Sequence, residues 1–364
     1  MFELKTLLER CAEYDASDLH LKAGSPPMLR IDGELVPQGT TPITDDDTER
    51  FLDEILPPEQ KELFEQRGEL DTAYSIKGMG RFRTNIYMQR GSVSIAMRRI
   101  KSIIQDFEEL NLPSVLETIS NEWHGLVLVT GVTGSGKSTT LASIIEYINQ
   151  RRRVHIVTIE DPIEYLHTDK LALIDQREVS IDTPSFESAL RNVLRQDPDI
   201  ILIGEMRDAE TFHAAISATE TGHLVFSTLH TSDAKQTIDR IIDLFPPEQH
   251  TQVRAQLSLN LRAIVCQRLL PLADGNGRVP AVEVLLNNPG VKKLIHENRI
   301  GQIPTAIRSA REDGMQTFND SLRDLVERGL ITRDTAMSFS DNPDELAMNL
   351  QGIFLSQDRG GIFR

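Results

Sequence analysis

The stretch "GLVLVTGVTGSGKS", residues 125–138, decides the fold of this chain. Its first six residues form a continuous apolar run, as expected for a central parallel strand. Gly131 to Ser138 then match the pattern G-x-x-x-x-G-K-[ST], and a helix is predicted from about Lys137 to Asn149. Glycines let successive backbone N–H groups point at a phosphate, and the helix N-terminus adds favourable partial charge. The sequence therefore predicts a nucleoside triphosphate site.

Two side chains of this loop have predicted chemical roles. Lys137 supplies positive charge to the β- and γ-phosphates of ATP, and Ser138 supplies a hydroxyl to Mg²⁺. The alternative is a chance glycine-rich turn, which the flanking strand and helix argue against. The predicted nucleotide-binding residues are Gly131, Thr133, Gly134, Ser135, Gly136, Lys137, Ser138 and Thr139.

Strands and helices alternate after this loop. Strands are predicted at "HIVTIE" (155–160), "DIILIG" (199–204) and "HLVFST" (223–228), with helices at about 185–196, 208–219 and 233–243. Such a βαβ series predicts a doubly wound α/β core. After about residue 247 the pattern predicts mainly helix, with a short β segment near "AVEVLL" (281–286).

The residues before the core have an α+β pattern. Apolar residues from Leu4 to Cys11 recur at helical spacing, and residues 45–66 are predicted to be helical with a break at Pro57-Pro58. Strands are predicted at "LHLKAG", at "MLRIDGELV" with a hairpin at Asp32-Gly33, and in a meander of "LDTAYSI", "GRFRTNIYMQR" and "SVSIAMRRI". We therefore predict an N-terminal domain at 1–105, a linker at 106–115 and a second domain at 116–364.

Composition narrows the class of protein. A hydrophobic content of 39% and a charged content of 26% are typical of a soluble globular protein. A net charge of −16 argues against nucleic acid as a partner and against an anionic membrane surface. Two distant cysteines argue against a cysteine zinc site and fit a reducing cytoplasm. No apolar run approaches the roughly 18 residues of a membrane span.

Two acidic segments follow predicted core strands. "TIEDPIEY" (158–165) holds three carboxylates, of which one can orient or deprotonate an attacking water; a solvated acidic turn is the alternative. In "ILIGEMRD" (201–208), Gly204 stands where an aspartate is usual and Glu205 follows it. Glu205 can hold Mg²⁺ through its water shell, and an ion pair with Arg207 is the alternative.

Histidines and arginines provide further candidates. His223 and His230 bracket a core strand and can stabilise a γ-phosphate, with purely structural roles as the alternative. Their spacing does not suggest zinc. In the meander, alternation puts Arg81 and Arg83 on one strand face. That face either meets solvent or presents an arginine finger to a neighbouring subunit's nucleotide.

Taken together, these residues resemble the secretion ATPase superfamily, and within it the type IV pilus retraction ATPases, over nearly the whole chain. "GVTGSGKSTTLAS" is similar to the Walker A loop, "TIEDPIEY" to the aspartate box, "ILIGEMRD" to the atypical Walker B and "TGHLVFSTLHT" to the histidine box. "SDLHLKAGSPPMLRIDGELV" resembles the start of the family's PAS-like domain. The resemblance implies a RecA-like P-loop NTPase core, an N-terminal PAS-like α+β domain and a helical C-terminal region.

The resemblance also implies roles for individual residues. Glu164 is expected to be the general base, and Glu205 the Walker B acid that supports Mg²⁺ together with Ser138. His223 and His230 are expected to face the γ-phosphate. The catalytic residues implied are Glu164, Glu205, His223, His230, Arg83 and Arg98, with the two arginines clamping the nucleotide.

The family implies an assembly and a task. We expect a homo-hexamer without a membrane span, peripheral at the cytoplasmic face of the inner membrane, which acts on a pilus platform protein and drives pilin disassembly. A paralogous retraction ATPase is a further expected partner. Pilus-assembly ATPases carry a four-cysteine zinc module, which two cysteines cannot build, so the retraction branch is favoured.

Within that branch the sequence has features of two paralogues. "AIRSAREDGMQTFND" departs at 309–311 from the principal form, whereas "GEMRD" is closer to that form. "LSLNLRAIVCQRLLP" and "DNPDELAMNLQ" are more similar to the accessory form, which we favour. Two other functions stay open: a nucleic-acid translocase with the same core, and a regulatory ATP-binding partner of a principal motor. The acidic balance argues against the first, and intact Lys137, Glu164 and Glu205 against the second.

Overall fold

The chain divides into two units with separate hydrophobic cores, in a computed structural model that describes residues 2–76, 80–100 and 103–352. Unit 1 comprises Met1–Ile103 and Ile163–Leu166. Unit 2 comprises Ile104–Pro162 and His167–Arg364. No helix among the described residues has the length and apolar character needed to cross a membrane.

Unit 1 is one antiparallel sheet with helices on a single face. The strand order is β3-β2-β1-β6-β5-β4. Its strands are β1 (Asp18–Lys22), β2 (Met28–Ile31), β3 (Glu34–Pro37), β4 (Glu69–Ile76), β5 (Gly80–Gln89) and β6 (Ser92–Arg99). Its helices are α1 (Leu4–Glu13), α2 (Asp45–Ile55) and α3 (Pro58–Arg67), and their apolar residues form one core with the inward-facing residues of the strands.

Turn and cap residues explain these boundaries. Asp32 (φ 48°) and Gly33 (φ 87°) both have positive φ between β2 and β3, which confirms the predicted hairpin. Thr44 caps α2 through a capping box with Asp47, and Pro57 separates α2 from α3 as predicted. The meander is also confirmed, although part of its predicted turn at 78–80 lies outside the described residues, as does the C-terminal segment from 353.

Unit 2 is built on a seven-stranded sheet with the order β13-β12-β7-β11-β10-β8-β9. Its strands are β7 (Gly125–Thr130), β8 (His155–Glu160), β9 (Leu173–Glu178), β10 (Ile200–Ile203), β11 (Leu224–Leu229), β12 (Leu261–Pro271) and β13 (Arg278–Leu286). All neighbours are parallel except β12 and β13. The carboxyl ends of the parallel strands therefore share one edge, where such sheets place their ligands.

Helices cover both faces of this sheet. The first five are α4 (Val115–Ser120), α5 (Lys137–Asn149), α6 (Phe186–Val193), α7 (Ala209–Glu220) and α8 (Ala234–Asp243). The others are α9 (His250–Asn260), α10 (Pro289–His296), α11 (Ile303–Ser309), α12 (Phe318–Glu327), α13 (Arg333–Phe339) and α14 (Pro343–Leu350). Strands β7, β10 and β11 are buried throughout, because a hydrophobic cluster lies on each side of them. The predicted α/β core is confirmed.

The prediction of a mainly helical segment after residue 247 was wrong in one respect. Strand β12 has eleven residues and lies beside the central strand β7, and β13 is longer than the predicted β segment. Helix α9 ends at Asn260 and β12 begins at Leu261 with no glycine or proline between them. The apolar run of β12, "LRAIVCQRLLP", fits a buried helix as well as a buried strand by its pattern alone. Edge strand β9 was not predicted either, because its residues alternate poorly.

The segment predicted as a linker at 106–115 contributes side chains to the core of unit 2. Phe107 and Leu112 are buried there, and the Phe107 ring stacks on Tyr147 with 5.2 Å between ring centroids. These contacts fix the segment on α5.

Candidate nucleotide site

The glycine-rich loop joins the end of β7 to the start of α5, as the sequence predicts. Gly131 has φ 151°, and a Cβ there would lie 2.3 Å from Ser135 Oγ and 2.5 Å from the carbonyl oxygen of Gln267. Gly134 (φ 78°) and Gly136 (φ 92°) are in the left-handed region. Only glycine combines these conformations with so close an approach of the backbone, so the loop has the tight curvature that a phosphate cradle requires.

Donors converge on this loop. The buried Lys137 ammonium donates to the carbonyls of Gly131 (2.8 Å) and Val132 (3.2 Å), and it lies 3.5 Å from His230 Nδ1. The Ser135 hydroxyl is buried without a hydrogen-bond partner among the described residues. A buried ammonium, an unpaired hydroxyl and the N-terminal end of α5, whose dipole favours negative charge, fit a triphosphate. Ser138 and Thr139 are half-buried in that first turn.

Glu205 lies just beyond the end of β10, on the same sheet edge. Its Oε2 accepts a hydrogen bond from Arg207 Nε at 2.8 Å, and its Oε1 is 3.4 Å from His230 Nε2. The hydrogen bond and charge of Glu205, with the nearby charge of Asp161, raise the pKa of Arg207. Glu205 therefore makes the ion pair with Arg207 and also lies beside the histidine that contacts Lys137. Carboxylate, imidazole and ammonium together can hold Mg²⁺, a water and a phosphate.

The geometry around Gly204 explains the missing aspartate. Its N–H donates to Ile159 O at 2.8 Å and its carbonyl accepts from Thr228 Oγ1 at 2.7 Å. A Cβ on Gly204 would lie 3.2 Å from Ile159 O and 3.4 Å from Glu160 Cα. An aspartate would push the neighbouring strand end away, so the carboxylate is supplied one residue later.

The two predicted histidines lie at opposite ends of strand β11. His230 follows the carboxyl end of β11 and reaches Lys137 and Glu205. His223 precedes β11, where its carbonyl accepts from Gly125 N at the start of β7 and its ring nitrogen lies 2.9 Å from Ala218 O. A six-residue strand, about 20 Å long, therefore separates the two histidines within one chain, and their expected role at the γ-phosphate stays a prediction.

The remaining predicted residues belong to unit 1. Glu164 is exposed in the segment Ile163–Leu166. Arg83 and Arg98 are exposed and directly opposite each other on β5 and β6, and Arg98 Nε donates to Asp18 Oδ1 at 2.8 Å. Their roles toward a nucleotide stay predictions.

Glu160, one of the three predicted carboxylates of "TIEDPIEY", accepts hydrogen bonds from Thr158 Oγ1 (2.6 Å) and Gln176 Nε2 (3.1 Å). Two polar residues near the site were not singled out from the sequence. Gln267 donates to Thr140 Oγ1 at 2.8 Å. Glu283 accepts from Ala234 N at 2.9 Å, and burial raises its pKa to about 7. The available signal was a polar residue within an apolar run, as in "IVCQRLL" and "AVEVLL".

Comparisons with known proteins agree with this geometry. The chain is 44% identical over 342 residues to "Type IV pilus retractation ATPase PilT" of Pseudomonas aeruginosa, which covers 94% of this chain and 99% of that protein. It is 41% identical over 349 residues to "Type IV pilus ATPase PilU" of the same organism, covering 96% of this chain and 91% of the relative.

A solved structure has the same fold. The crystal structure of the pilus retraction motor PilT with bound ADP superposes with a TM-score of 0.88 at 44% identity, covering 95% of this chain and 99% of that one. Residues 4–338 match the family described as "Type II/IV secretion system protein". The chain therefore belongs to the type II/IV secretion system protein family.

Proposed function

We propose that this chain is a motor ATPase that hydrolyses ATP to power type IV pilus retraction. The observation that carries the proposal is the complete strand, phosphate loop and helix at 125–149, in a chain that is 44% identical over almost its whole length to a pilus retraction ATPase. The chain is an ATP hydrolase, and its retraction activity would support twitching motility.

ATP is the proposed substrate and Mg²⁺ the proposed cofactor. The backbone of 131–139 and Lys137 would bind the phosphates, while Ser138 and Glu205 would hold the metal. Mg²⁺ would neutralise charge on the phosphate oxygens as the γ-phosphate is transferred to water. The fit rests on the loop curvature at Gly131, the Lys137 ammonium and the placement of Glu205 on the same edge.

The chain's own residues carry the proposed proton transfer and charge stabilisation. Glu164 accepts the proton of the attacking water, and Glu205 orients that water from the metal side. His230 stabilises charge on the γ-phosphate, supported by its position between Lys137 and Glu205. Arg83 and Arg98 clamp the nucleotide of a neighbouring subunit. His223 has no proposed role at the phosphate loop of its own chain.

The proposed assembly follows from the family resemblance. Residues 1–105 form a PAS-like domain, 106–115 a linker and 116–364 a RecA-like ATPase domain with a helical C-terminal region. Six copies form a ring at the cytoplasmic face of the inner membrane and act on a pilus platform protein, with a paralogous retraction ATPase as a further partner.

Pilus dynamics and ATP turnover together test the proposal. In cells whose only retraction ATPase is this chain, we expect labelled pili to retract, and the purified protein should hydrolyse ATP. Glu164→Gln should lower turnover about 100-fold or more while nucleotide binding persists, because only proton transfer is lost. Lys137→Ala should lose binding as well.

The control is the exposed Glu312→Gln, which should leave both readouts unchanged. ATP turnover by the purified protein without pilus retraction would contradict the proposed motor function. Equal turnover in wild type and Glu164→Gln would contradict only the proposed role of Glu164 as proton acceptor.

A further inference from the structure

Arg268, on β12, connects the nucleotide edge of unit 2 to its last two helices. One side of its guanidinium faces Asp341, with Nη1 and Nη2 at 2.9 Å and 2.8 Å from the two carboxylate oxygens. Nη1 also donates to Phe339 O at 2.9 Å, and the guanidinium stacks 3.9 Å from the Phe318 ring centroid. Arg268 therefore makes three hydrogen bonds to the connection between α13 and α14, and its guanidinium also packs on the first residue of α12.

The other side of the guanidinium contacts the loop that follows β11. Arg268 Nη2 donates to Ser232 O at 3.4 Å. Ser232 is two residues from His230, which lies beside Lys137 and Glu205. In the same loop, Thr231 Oγ1 lies 2.7 Å from Thr237 Oγ1, and Thr237 donates to Thr130, the last residue before the glycine-rich loop. The loop 230–233 is thus bonded both to the nucleotide site and to Arg268.

The ion pair between Arg268 and Asp341 differs from an ordinary surface ion pair in its geometry. Asp341 is exposed, and an ordinary surface ion pair contributes little. A bidentate pair on a guanidinium that is largely buried and stacked on an aromatic ring has a fixed direction. A movement of the loop 230–233 therefore cannot be absorbed by rotation of the Arg268 side chain alone.

We infer that Arg268 is a positioning residue that couples the loop 230–233 to helices α13 and α14, so that nucleotide binding sets how firmly residues 332–350 are held. This inference rests on the proposed binding of nucleotide at the glycine-rich loop. Asp341 and α14 lie beyond residue 338, the last residue that the family model matches. The coupling would transmit the nucleotide state to the connection between α13 and α14.

Hydrogen exchange on the full-length protein tests the coupling directly. Amide exchange of residues 332–350 would be measured with and without Mg²⁺ and ADP, and binding of a fluorescent ADP analogue would be measured in the same samples. We expect nucleotide to change exchange in this segment about five-fold or more in the wild type. Arg268→Ala and Asp341→Asn should bind the analogue and lose most of this change.

Arg308→Ala is the matched control. Arg308 is paired with Glu345 of α14 at 3.2 Å and makes no hydrogen bond or ion pair with the loop 230–233 among the described residues. Its removal should raise exchange in α14 both with and without nucleotide, leaving the nucleotide-dependent ratio as in the wild type.

Three results would contradict the coupling, and a fourth would contradict the proposed function. Coupling by Arg268 is overturned if the wild type binds nucleotide without a change in residues 332–350, if Arg268→Ala retains the change, or if Arg308→Ala abolishes it. Failure of the wild type to bind nucleotide would instead overturn the proposed function on which the coupling rests.

Discussion

At the scale of single residues, the shape of the site depends on positions where a side chain has no room. Gly204 donates its N–H to Ile159 O and accepts a hydrogen bond from the Thr228 hydroxyl at its carbonyl, and its neighbours leave little space for a Cβ. The carboxylate that serves this edge therefore comes from Glu205. Glu205 makes an ion pair with Arg207 and at the same time lies beside His230 at the nucleotide site.

Gly204→Ala should destabilise the protein by about 1–2 kcal/mol, because the strand end at Ile159 must move to accept the methyl group. The midpoint of urea unfolding measures the effect. Gly301→Ala is the control, since no atom lies within 4 Å of a Cβ there and its φ is ordinary. Equal midpoints for the two variants would contradict the packing argument.

Glu283 gives stability a dependence on pH. Burial raises its pKa from 4.5 to about 7, so the folded protein binds this proton more tightly than the unfolded chain. The contribution is fully present below the unfolded pKa of about 4.5 and is lost as the pH rises through the folded pKa of about 7. At pH 8 the buried Glu283 carboxylate is ionised, which lowers the free energy of unfolding relative to pH 5.

Glu283→Gln should remove that loss of unfolding free energy while still accepting the hydrogen bond from Ala234 N. Compared with the wild type, the variant should gain up to about 3 kcal/mol of unfolding free energy between pH 5 and pH 8. Urea unfolding at both pH values measures the difference. A constant offset between the two proteins at pH 5 and pH 8 would show that Glu283 does not titrate in this range.

At the scale of elements, β12 is the strand that organises the C-terminal half of unit 2. It pairs with β7 on one side and β13 on the other, and it carries both Gln267 beside the glycine-rich loop and Arg268 beside α13 and α14. A helix in its place could not present neighbouring residues to these opposite directions, because only a strand alternates its side chains between two faces.

Ile264→Ala should cost about 2–5 kcal/mol, since Ile264 is fully buried in the middle of β12. Leu259→Ala in the last turn of α9 is the control, because 60% of Leu259 is exposed, and it should cost less than about 1 kcal/mol. Chemical unfolding of both variants is the measurement. Similar losses would be incompatible with β12 as a central strand.

At the scale of the whole molecule, the proposed motor requires more than one chain. The arginines proposed to clamp the nucleotide lie on the exposed face of the unit 1 sheet, where Arg83 and Arg98 are opposite each other. Like charges placed directly opposite on a sheet are unfavourable without an anion or acidic partner, and of these two arginines Asp18 supplies a carboxylate to Arg98 alone. The proposal assigns a further anion, the nucleotide of a neighbouring subunit, to this pair.

Mixing inactive variants tests this assignment. Arg83→Ala and Lys137→Ala should each be nearly inactive, and an equimolar mixture should regain up to about a quarter of wild-type turnover, because some sites then combine an intact arginine with an intact phosphate loop. A mixture of Lys137→Ala and Ser138→Ala, both altered in one loop, should regain nothing. An inactive first mixture would place the arginine in the same chain as its nucleotide.

Local patterns were sufficient wherever a residue acts through its own backbone or its immediate neighbours. The glycine-rich loop, the hairpin at Asp32-Gly33 and the limits of α5 follow from glycine conformations and from the helix start alone. The strands that end at charged loops were also predicted, because each is a short apolar run that can be recognised from its own residues. By contrast, the apolar run of β12 fits a buried strand or a buried helix equally well, so its conformation depends on the strand that lies beside it.

The sequence by itself determined that a phosphate loop joins a buried strand to a helix, and that the chain is acidic and has two units. Only the tertiary structure decided which candidates meet at that loop. It brings His230 and Glu205 to Lys137, and it places His223 at the far end of β11, because residues at the two ends of one strand are separated by the length of the strand. It also decided the partners of Arg268 and Glu283, since contacts between distant segments depend on packing that no local pattern records.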